Sequence, residues 1–281
     1  MGRAPDFIGI GAQRAGTSWI YACLYEHPDI CIPVKEIHFF SRKKNWSKGY
    51  EWYESIFNKC HQNTKVGEFS TSYLSDLDTP ERIYYRYPTV KLIACLRNPL
   101  NRAYSNYMND IKAGTIKSII PFGEALQNHP EYIEQGRYAT HLKRYLSFFS
   151  TDQILVMIYE DCLNDPLKFI QKIYRFIGVD FSFIPTMLST RINVSRVPRF
   201  VYLDYIIMKV SEFLRNKGFH NIWWPIKKIG WANKIRALNT KRTKKKQNIN
   251  QYEKEVLYKE YEKEIEDLEK IIGRKLKEWR L

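Results

Sequence analysis

The stretch FIGIGAQRAGTS, Phe7–Ser18, decides the fold of this 281-residue chain. Its first five residues, Phe7–Gly11, form a short apolar run of the kind that makes a buried strand, and a glycine-containing turn follows. Ser18–Glu26 then has helical spacing, which His27-Pro28 ends. This order of strand, loop and helix puts the loop at the carboxyl end of the strand, where open α/β sheets bind their ligands.

Two further apolar runs, Lys91–Leu96 and Ile154–Ile158, are each followed by a turn and then by a helical pattern. Alternation of strands and helices predicts a mainly parallel sheet. We therefore expect a P-loop-like α/β fold, a three-layer sandwich with a central, mainly parallel sheet between flanking helices. Charge pairs spaced four residues apart predict one more helix over Tyr252–Leu281, the C-terminal helical segment.

One segment, residues 200–237, differs from the rest because it is both aromatic and basic. We expect residues 1–281 to form a single domain, with 200–237 as a helical insertion or cap made of two amphipathic helices. Three roles are open for this segment: a helical subdomain with an aromatic core, a cap that binds a substrate, or a helix pair that touches a membrane surface.

The loop Gly11–Ser18 has the glycine spacing of a Walker A phosphate loop, but Thr17 stands where the lysine of that motif belongs. Without this lysine, ATP hydrolysis is not expected. The loop is still suited to a phosphate, because backbone N–H groups and a helix N-terminus favour an anion. A tight turn with an incidental arginine is the alternative for the loop taken alone. The candidate anion-binding residues are Arg14, Ala15, Gly16, Thr17 and Ser18.

Two other clusters of polar residues complete the set of candidates. Arg97 follows the strand Lys91–Leu96, and Ser105 lies one to two helical turns further on, where the pair could hold a second phosphate. Lys35, Glu36 and His38 precede two phenylalanines, and the carboxylate could take a proton from a substrate. Taken separately, each cluster is explained more simply as a set of ordinary structural charges.

In this order, the segments resemble the sulfotransferases that depend on 3′-phosphoadenosine 5′-phosphosulfate (PAPS). The branch they resemble contains the heparan-sulfate glucosaminyl 3-O-sulfotransferases, the N-sulfotransferase domain and their bacterial relatives. Gly11–Ser18 resembles the 5′-phosphosulfate loop, Lys35–Phe40 the K-E-x-x-F-F segment, and Lys91–Tyr107 the strand and helix of the 3′-phosphate site. Further similar segments are Gly49–Tyr53, Val66–Tyr73, Gly136–Tyr138 with His141–Phe149, Ile154–Glu160 and Leu268–Trp279.

The resemblance implies an enzyme that moves a sulfuryl group from PAPS to a hydroxyl or amine of an acceptor and releases 3′-phosphoadenosine 5′-phosphate (PAP). It implies Glu36 as the base for the acceptor proton, with His38 and Lys35 as additional catalytic residues. Arg14 replaces the lysine of the glycan enzymes. Because an arginine stays protonated, Arg14 would stabilise the leaving phosphate without giving it a proton.

The resemblance also implies where the 3′-phosphate is held. Arg97 and Ser105 fall in the matching places of the family's strand and helix. Arg242, Thr243 and Lys244 fall where the family has a K-G-R triplet, so two positive charges are kept and a glycine is lost. The resemblance implies no metal ion, and no cluster of possible metal ligands stands out in the sequence.

Two other classes of function remain open at this stage. A P-loop nucleotide kinase shares the strand, loop and helix, but the missing lysine counts against it. A non-catalytic protein that binds polyanions fits the net charge of +15 and the KRTKKK run at Lys241–Lys246. A solvated surface explains such a run more simply, so nucleic acid is not expected as a partner. The expected partner is an acceptor substrate, a glycan or a lipid-like alcohol.

The five cysteines are odd in number and widely spaced, which argues against a disulfide framework and favours buried free thiols. The first residues lack the apolar core of a signal peptide, and no apolar run is long enough to span a membrane. We therefore expect a cytoplasmic protein, with peripheral membrane contact left open.

Overall fold

The computed structural model describes residues 2–116, 120–189, 197–198, 240–241 and 249–281. The chain divides into two compact units. The first comprises Met1–Ala103, Pro130–Asn193 and Gln251–Leu281, and the second comprises Tyr104–His129 and Val194–Asn250. The predicted insertion or cap at residues 200–237 lies outside the described residues. The single-domain organisation therefore stays a prediction.

The core of the first unit is a five-stranded sheet in the order β2-β3-β1-β4-β5, with all neighbouring strands parallel. The strands are β1 (Phe7–Gly11), β2 (Ile30–Cys31), β3 (Lys65–Phe69), β4 (Lys91–Leu96) and β5 (Ile154–Ile158). The expected α/β fold with a central parallel sheet is confirmed. Because β1 is the middle strand, the loop that follows it opens at the centre of the carboxyl edge of the sheet.

The strands that were predicted from apolar runs owe their position to burial. All five residues of β1 are buried, as are five of the six residues of β4. Buried apolar runs are typical of strands covered on both faces of a parallel sheet. Gly9 lets β3 pack closely, since a Cβ at this position would lie 2.1 Å from the ring of Phe69.

Helices connect the strands and continue after them. They are α1 (Thr17–Glu26), α2 (Lys43–Trp46), α3 (Gly49–Ser55), α4 (Thr79–Arg86), α5 (Pro99–Ala113), α6 (Phe122–Asn128), α7 (Glu131–Glu134), α8 (Tyr138–Leu146), α9 (Tyr159–Asn164), α10 (Pro166–Ile177) and α11 (Gln251–Ile272). In the second unit, Val197–Pro198 pairs antiparallel with Thr240–Lys241. No helix among the described residues is long and apolar enough to span a membrane.

The C-terminal helix is shorter than predicted. The sequence predicts a helix over Tyr252–Leu281, whereas α11 ends at Ile272 and is followed by a turn and a short 3-10 helix, Lys277–Trp279. The reason is Gly273, whose φ of 64° is the left-handed conformation that ends many helices. The side chain of Trp279 is nevertheless buried, so the last residues pack on the first unit.

The prediction of free cysteines is wrong for two of the five. Cys31 and Cys60 form a disulfide, with their Cα atoms 5.8 Å apart. Cys31 ends β2, which pairs with the start of β3, and Cys60 lies in the turn that leads into β3. The two cysteines are 29 positions apart, so only the strand pairing brings them together. Cys23 and Cys95 are free and buried, as predicted.

Candidate active site

The phosphate loop lies between β1 and α1. Gly16, the residue before α1, has a φ of 81°, and a Cβ there would lie 2.7 Å from the ring of Tyr159. Only glycine fits this conformation and this contact, so the glycine fixes where α1 begins. Thr17 and Ser18 then form the first turn of a ten-residue helix, whose leading N–H groups have no partner within the helix.

A cavity of about 350 Å³ opens at this loop, within the first unit. Six predicted site residues line it: Arg14, Thr17, Ser18, Lys35, Glu36 and His38. The structure therefore brings the phosphate loop and residues 35–40, here called the base loop, to one cavity. Arg42, Thr71, Ser72 and Gln135 also line it and were not singled out from the sequence. Thr71 and Ser72 lie in the turn after β3, within Val66–Tyr73, and the resemblance of that segment to the family was the available signal for them.

Lys35 joins the two loops. Its ammonium Nζ donates to Ser18 Oγ at 3.1 Å and to Glu36 Oε1 at 3.1 Å. The phosphate loop lacks a lysine of its own at Thr17, and Lys35 supplies a positive charge beside it from another part of the chain. The cation is part of an ion pair with Glu36, so it serves the phosphate loop and the carboxylate together.

Glu36 is held in the cavity by the turn after β3. Its Oε2 accepts a hydrogen bond from the Thr71 backbone N–H at 3.0 Å and another from the Thr71 hydroxyl at 3.0 Å. The same oxygen lies 3.1 Å from Nε2 of His38. The side chain is 29% exposed, which leaves the carboxylate open to a substrate in the cavity. A fixed and accessible carboxylate is what a general base requires.

His38 lies behind Glu36 and is almost buried, with 8% of its surface exposed. Its Nδ1 is 2.7 Å from Ser72 Oγ, which in turn is 2.6 Å from Ser41 Oγ. Burial lowers the pKa of His38, and the charges of Arg42 and Lys35 lower it further, against the opposing effect of Glu36. The lowered pKa favours the neutral imidazole, which can accept or pass on a proton.

Arg97 follows β4 and lies at the edge of the phosphate loop. Its Nη1 donates to the carbonyl oxygen of Arg14 at 3.2 Å, and its guanidinium lies 5.2 Å from the centre of the Tyr159 ring. Arg97 does not line the cavity itself, but its contact with Arg14 places a second positive charge beside the loop.

The remaining predicted cofactor residues are placed differently. Ala15 is fully buried, its carbonyl oxygen accepts from the thiol of Cys95 at 2.9 Å, and its backbone N–H donates to the carbonyl of Ala12 at 3.4 Å, so both of its backbone groups already have partners within the protein. Ser105 is buried on α5 and belongs to the second unit. The candidates for the adenosine side, Arg242, Thr243 and Lys244, lie outside the described residues.

Known proteins with similar sequences are sulfotransferases. Human heparan sulfate glucosamine 3-O-sulfotransferase 5 is 28% identical over 185 residues, which cover 62% of this chain and 54% of that protein. Mouse bifunctional heparan sulfate N-deacetylase/N-sulfotransferase 1 is 32% identical over 199 residues, which cover 63% of this chain and 22% of that protein. The chain thus spans about half the length of the first relative and a smaller part of the second.

A solved structure agrees with these sequences. The crystal structure of a sulfotransferase from Alicyclobacillus acidocaldarius has a TM-score of 0.72 and 25% sequence identity, and the similarity covers 99% of each chain. The resemblance to sulfotransferases is confirmed, and neither the kinase nor the polyanion-binding alternative is favoured.

The match to the sulfotransferase domain family covers residues 4–198. It therefore includes all five strands of the sheet, the phosphate loop and the base loop. This chain accordingly belongs to the sulfotransferase domain family, whose members use PAPS as the sulfuryl donor.

Proposed function

We propose that this chain transfers a sulfuryl group from PAPS to a hydroxyl or amine of a glycan or another alcohol. The observation that carries the proposal is the position of Lys35, whose ammonium lies 3.1 Å both from Ser18 Oγ of the phosphate loop and from the Glu36 carboxylate. A residue that can hold a donor anion and a residue that can accept a proton thus face one cavity.

The residues of the phosphate loop fit the 5′ end of PAPS. Arg14 and Lys35 supply positive charge, Thr17 and Ser18 supply hydroxyls, and the start of α1 supplies backbone N–H groups, including that of Gly16. When bound, PAPS supplies the sulfuryl group and carries the phosphate that leaves. Donors already in place where negative charge develops lower the barrier without having to reorganise.

Arg14 acts on the donor as a fixed charge. Arginine binds a phosphate or sulfuryl oxygen through a planar fork of N–H groups and does not lose its proton at neutral pH. Its backbone carbonyl is fixed by Arg97. In this proposal, Arg97 and Ser105 bind the 3′-phosphate together with Arg242, Thr243 and Lys244.

Glu36 takes the proton of the acceptor. The Thr71 backbone N–H and hydroxyl hold one carboxylate oxygen, and Lys35 holds the other. His38 is neutral and 3.1 Å from Glu36, so it is placed to share the proton as an auxiliary base. Lys35 is the second candidate, after Arg14, to bind the sulfuryl oxygens of the donor.

Replacement of Glu36 tests the proposal. We expect Glu36→Gln to lower kcat roughly 10²- to 10⁴-fold, the usual contribution of a general base, because the amide cannot accept the proton. The Kd for PAP, measured by calorimetry, should not rise, since Arg14, Ser18 and the loop remain and Lys35 no longer shares its charge with a carboxylate at position 36. Glu51→Gln, an exposed carboxylate on α3, is the control for loss of a negative charge. Wild-type kcat in Glu36→Gln would rule out this base.

The acceptor can be found by direct labelling. The similar human and mouse proteins are named for heparan sulfate, and on that ground we propose a sulfatable glycan as the acceptor. Labelled PAPS should be incubated with the protein and heparan sulfate, and in parallel with a lipid alcohol and with cell extract. Mass analysis of the labelled product then separates a glycan from a lipid and an ester from an N-sulfate.

The oxidation state of two cysteines tests the proposed cytoplasmic location. Disulfides persist in oxidising compartments and are rare in the cytoplasm. A cytoplasmic protein of this sequence would keep Cys31 and Cys60 reduced, although the fold brings them together. Rapid alkylation of the protein in its own cells, followed by mass spectrometry, distinguishes reduced cysteines from the disulfide. Unlabelled Cys31 and Cys60, paired with each other, would contradict the cytoplasmic location.

A further inference from the structure

The base loop has a backbone conformation that needs support. Glu36 and His38 have φ values of 60° and 52°, in the left-handed region. Neither residue is glycine, so this conformation is unfavourable on its own and persists only where the surroundings hold it. Whatever holds the backbone of this loop also determines where the Glu36 carboxylate points.

Three backbone N–H groups of the base loop are held by the end of β3 and the turn after it. The N–H of Glu36 donates to the carbonyl of Phe69 at 2.8 Å. The N–H of His38 donates to the Ser70 hydroxyl at 2.9 Å, and the N–H of Phe39 donates to the Tyr73 hydroxyl at 2.8 Å. Two of the three acceptors are therefore side-chain hydroxyls, which can rotate.

One buried carboxylate sets the direction of both hydroxyls. Ser70 donates to Glu68 Oε2 at 2.6 Å, and Tyr73 donates to Glu68 Oε1 at 2.7 Å. A hydroxyl has a single proton, so a hydroxyl that donates to Glu68 presents its lone pairs to the base loop. Tyr53 also donates to Oε1, at 3.0 Å, but it is not an acceptor for the base loop.

The burial of Glu68 is complete, and its charge is balanced by hydrogen bonds alone. Glu68 has 0% exposure, and no ion pair to it occurs among the described residues. Burial raises the pKa of Glu68 to about 7, against the hydrogen bonds from Ser70, Tyr73 and Tyr53, which favour the charged form. A buried acid is costly for the core, and within the part of the chain that the structure describes its hydrogen bonds go to these three hydroxyls.

We propose that Glu68 is a positioning residue, which holds the base loop through Ser70 and Tyr73 and so aims Glu36 into the cavity. The inference rests on the proposed role of Glu36 as the base. Glu68 thereby affects kcat, although it is fully buried in β3 and does not line the cavity.

The first test replaces the acid with its amide. In Glu68→Gln, whichever way the amide is turned, its NH2 group faces a hydroxyl that loses the acceptor for its own proton, so the support that Ser70 or Tyr73 gives the base loop is weakened. We expect kcat with labelled PAPS and heparan sulfate to fall roughly 10- to 100-fold, as for a small misplacement of a reacting group. KM for PAPS and the Kd for PAP should change by less than about twofold, because the phosphate loop is untouched.

A buried acid away from the site is the matched control. Glu54 is 4% exposed and accepts from the Tyr87 hydroxyl and from Arg86, and among the described residues it has no hydrogen bond to the base loop. Glu54→Gln should lower the thermal midpoint of unfolding without changing kcat. The inference would be overturned if Glu54→Gln, at an equal loss of stability, lost as much kcat as Glu68→Gln.

Two tyrosines give a test that does not depend on the folding of Glu68→Gln. Tyr53 and Tyr73 are both 0% exposed, and both donate to Oε1 of Glu68, but only Tyr73 accepts an N–H of the base loop. Tyr73→Phe should lower kcat about as much as Glu68→Gln, and Tyr53→Phe should leave kcat within about twofold. Equal kcat values for the two variants would contradict the proposal.

The results also separate this inference from the proposed function. If the wild-type protein transfers the label to no acceptor, the proposed function fails, and the positioning role fails with it. If the wild-type protein is active, and Glu68→Gln and Tyr73→Phe both keep wild-type kcat, only the positioning role is wrong.

Discussion

Arg97 is held both by its backbone carbonyl and by its guanidinium. Its carbonyl oxygen accepts from the Tyr138 hydroxyl at 2.9 Å, and its guanidinium donates to Arg14 and lies over the ring of Tyr159. A side chain fixed in this way loses little freedom when it binds a phosphate, which favours tight and selective binding. The selectivity proposed for Arg97 is for the 3′-phosphate, the group that distinguishes PAP from an ordinary nucleotide.

Arg97→Gln tests this selectivity. We expect the Kd for PAP to rise roughly 10- to 100-fold, since hydrogen bonds to charged groups contribute about 1.5 to 3 kcal/mol. The Kd for adenosine 5′-phosphate, which has no 3′-phosphate, should change by less than about threefold. Calorimetry with both ligands measures the difference. Arg175→Gln on α10, far along the chain and stacked on Phe181, serves as the control.

An equal loss for both ligands would point to a different role for Arg97. The guanidinium also holds the carbonyl of Arg14, so a general weakening would mean that the phosphate loop had lost its shape. In that case the 3′-phosphate would be bound by other residues.

At the scale of elements, helix α8 carries a buried histidine whose pKa is lowered by its surroundings. His141 is 5% exposed, and its Nδ1 accepts from Arg144 while its Nε2 is 2.8 Å from the carbonyl of Glu134. Burial lowers the pKa of His141 to about 4. Protonation of Nδ1 would place a proton against the Arg144 guanidinium, so the folded protein keeps the ring neutral.

The consequence is a loss of stability in acid. Between pH 6.5 and 4 the unfolded chain binds a proton at His141 that the folded protein does not, so the free energy of unfolding falls as the pH falls. The total from this group is up to about 3 kcal/mol. Urea unfolding at several pH values should show that the stability of His141→Gln declines less than that of the wild-type protein. Replacement of the exposed His61 should leave the wild-type slope, and parallel curves for His141→Gln and wild type would contradict the assignment.

The elements also show what a sequence pattern can predict. β1, β4 and β5 were predicted with their observed bounds because each is an unbroken apolar run, which is buried almost throughout in β1 and β4 and partly half-buried in β5. β2 has only two residues, too few for a pattern. β3 contains Gly67 and Glu68, and a buried acid breaks the apolar run, so only the resemblance to known enzymes pointed to a strand there.

The site was predictable to the extent that its residues are close in sequence. Arg14, Lys35, Glu36 and His38 were found because each lies in a short motif, and the structure brings them to one cavity. The support of Glu36 by Thr71, 35 positions away, depends on the packing of the base loop on the turn after β3. No spacing in the sequence records this contact.

At the scale of the whole molecule, the charge bears on the acceptor. The chain has 45 basic and 30 acidic side chains, which gives the net charge of +15. A molecule of this charge attracts polyanions at long range. Dissolved salt screens the charges and shortens that range. If the acceptor is an anionic glycan, part of its binding free energy comes from the counterions that the glycan and the protein release when they bind each other.

Salt therefore distinguishes acceptor classes. We expect KM for heparan sulfate to rise roughly 10- to 50-fold between about 50 and 200 mM salt, as for a polyanion held by about three cations. KM for an uncharged alcohol acceptor should stay nearly constant over the same range. Initial rates at fixed, saturating PAPS measure both. A KM for heparan sulfate that does not depend on salt would mean that the acceptor is not recognised by its charge.

Lys35 has a further consequence, for the order of events in a catalytic cycle. Its ammonium is shared by Ser18 and Glu36, so an anion that enters the phosphate loop competes with the carboxylate for the same cation. Occupancy of either partner then changes the binding free energy of the other by an equal amount. A filled loop draws the ammonium away and leaves the carboxylate ready for a proton. We therefore expect a bound donor to favour proton transfer from the acceptor to Glu36, a coupling that one flexible side chain is enough to provide.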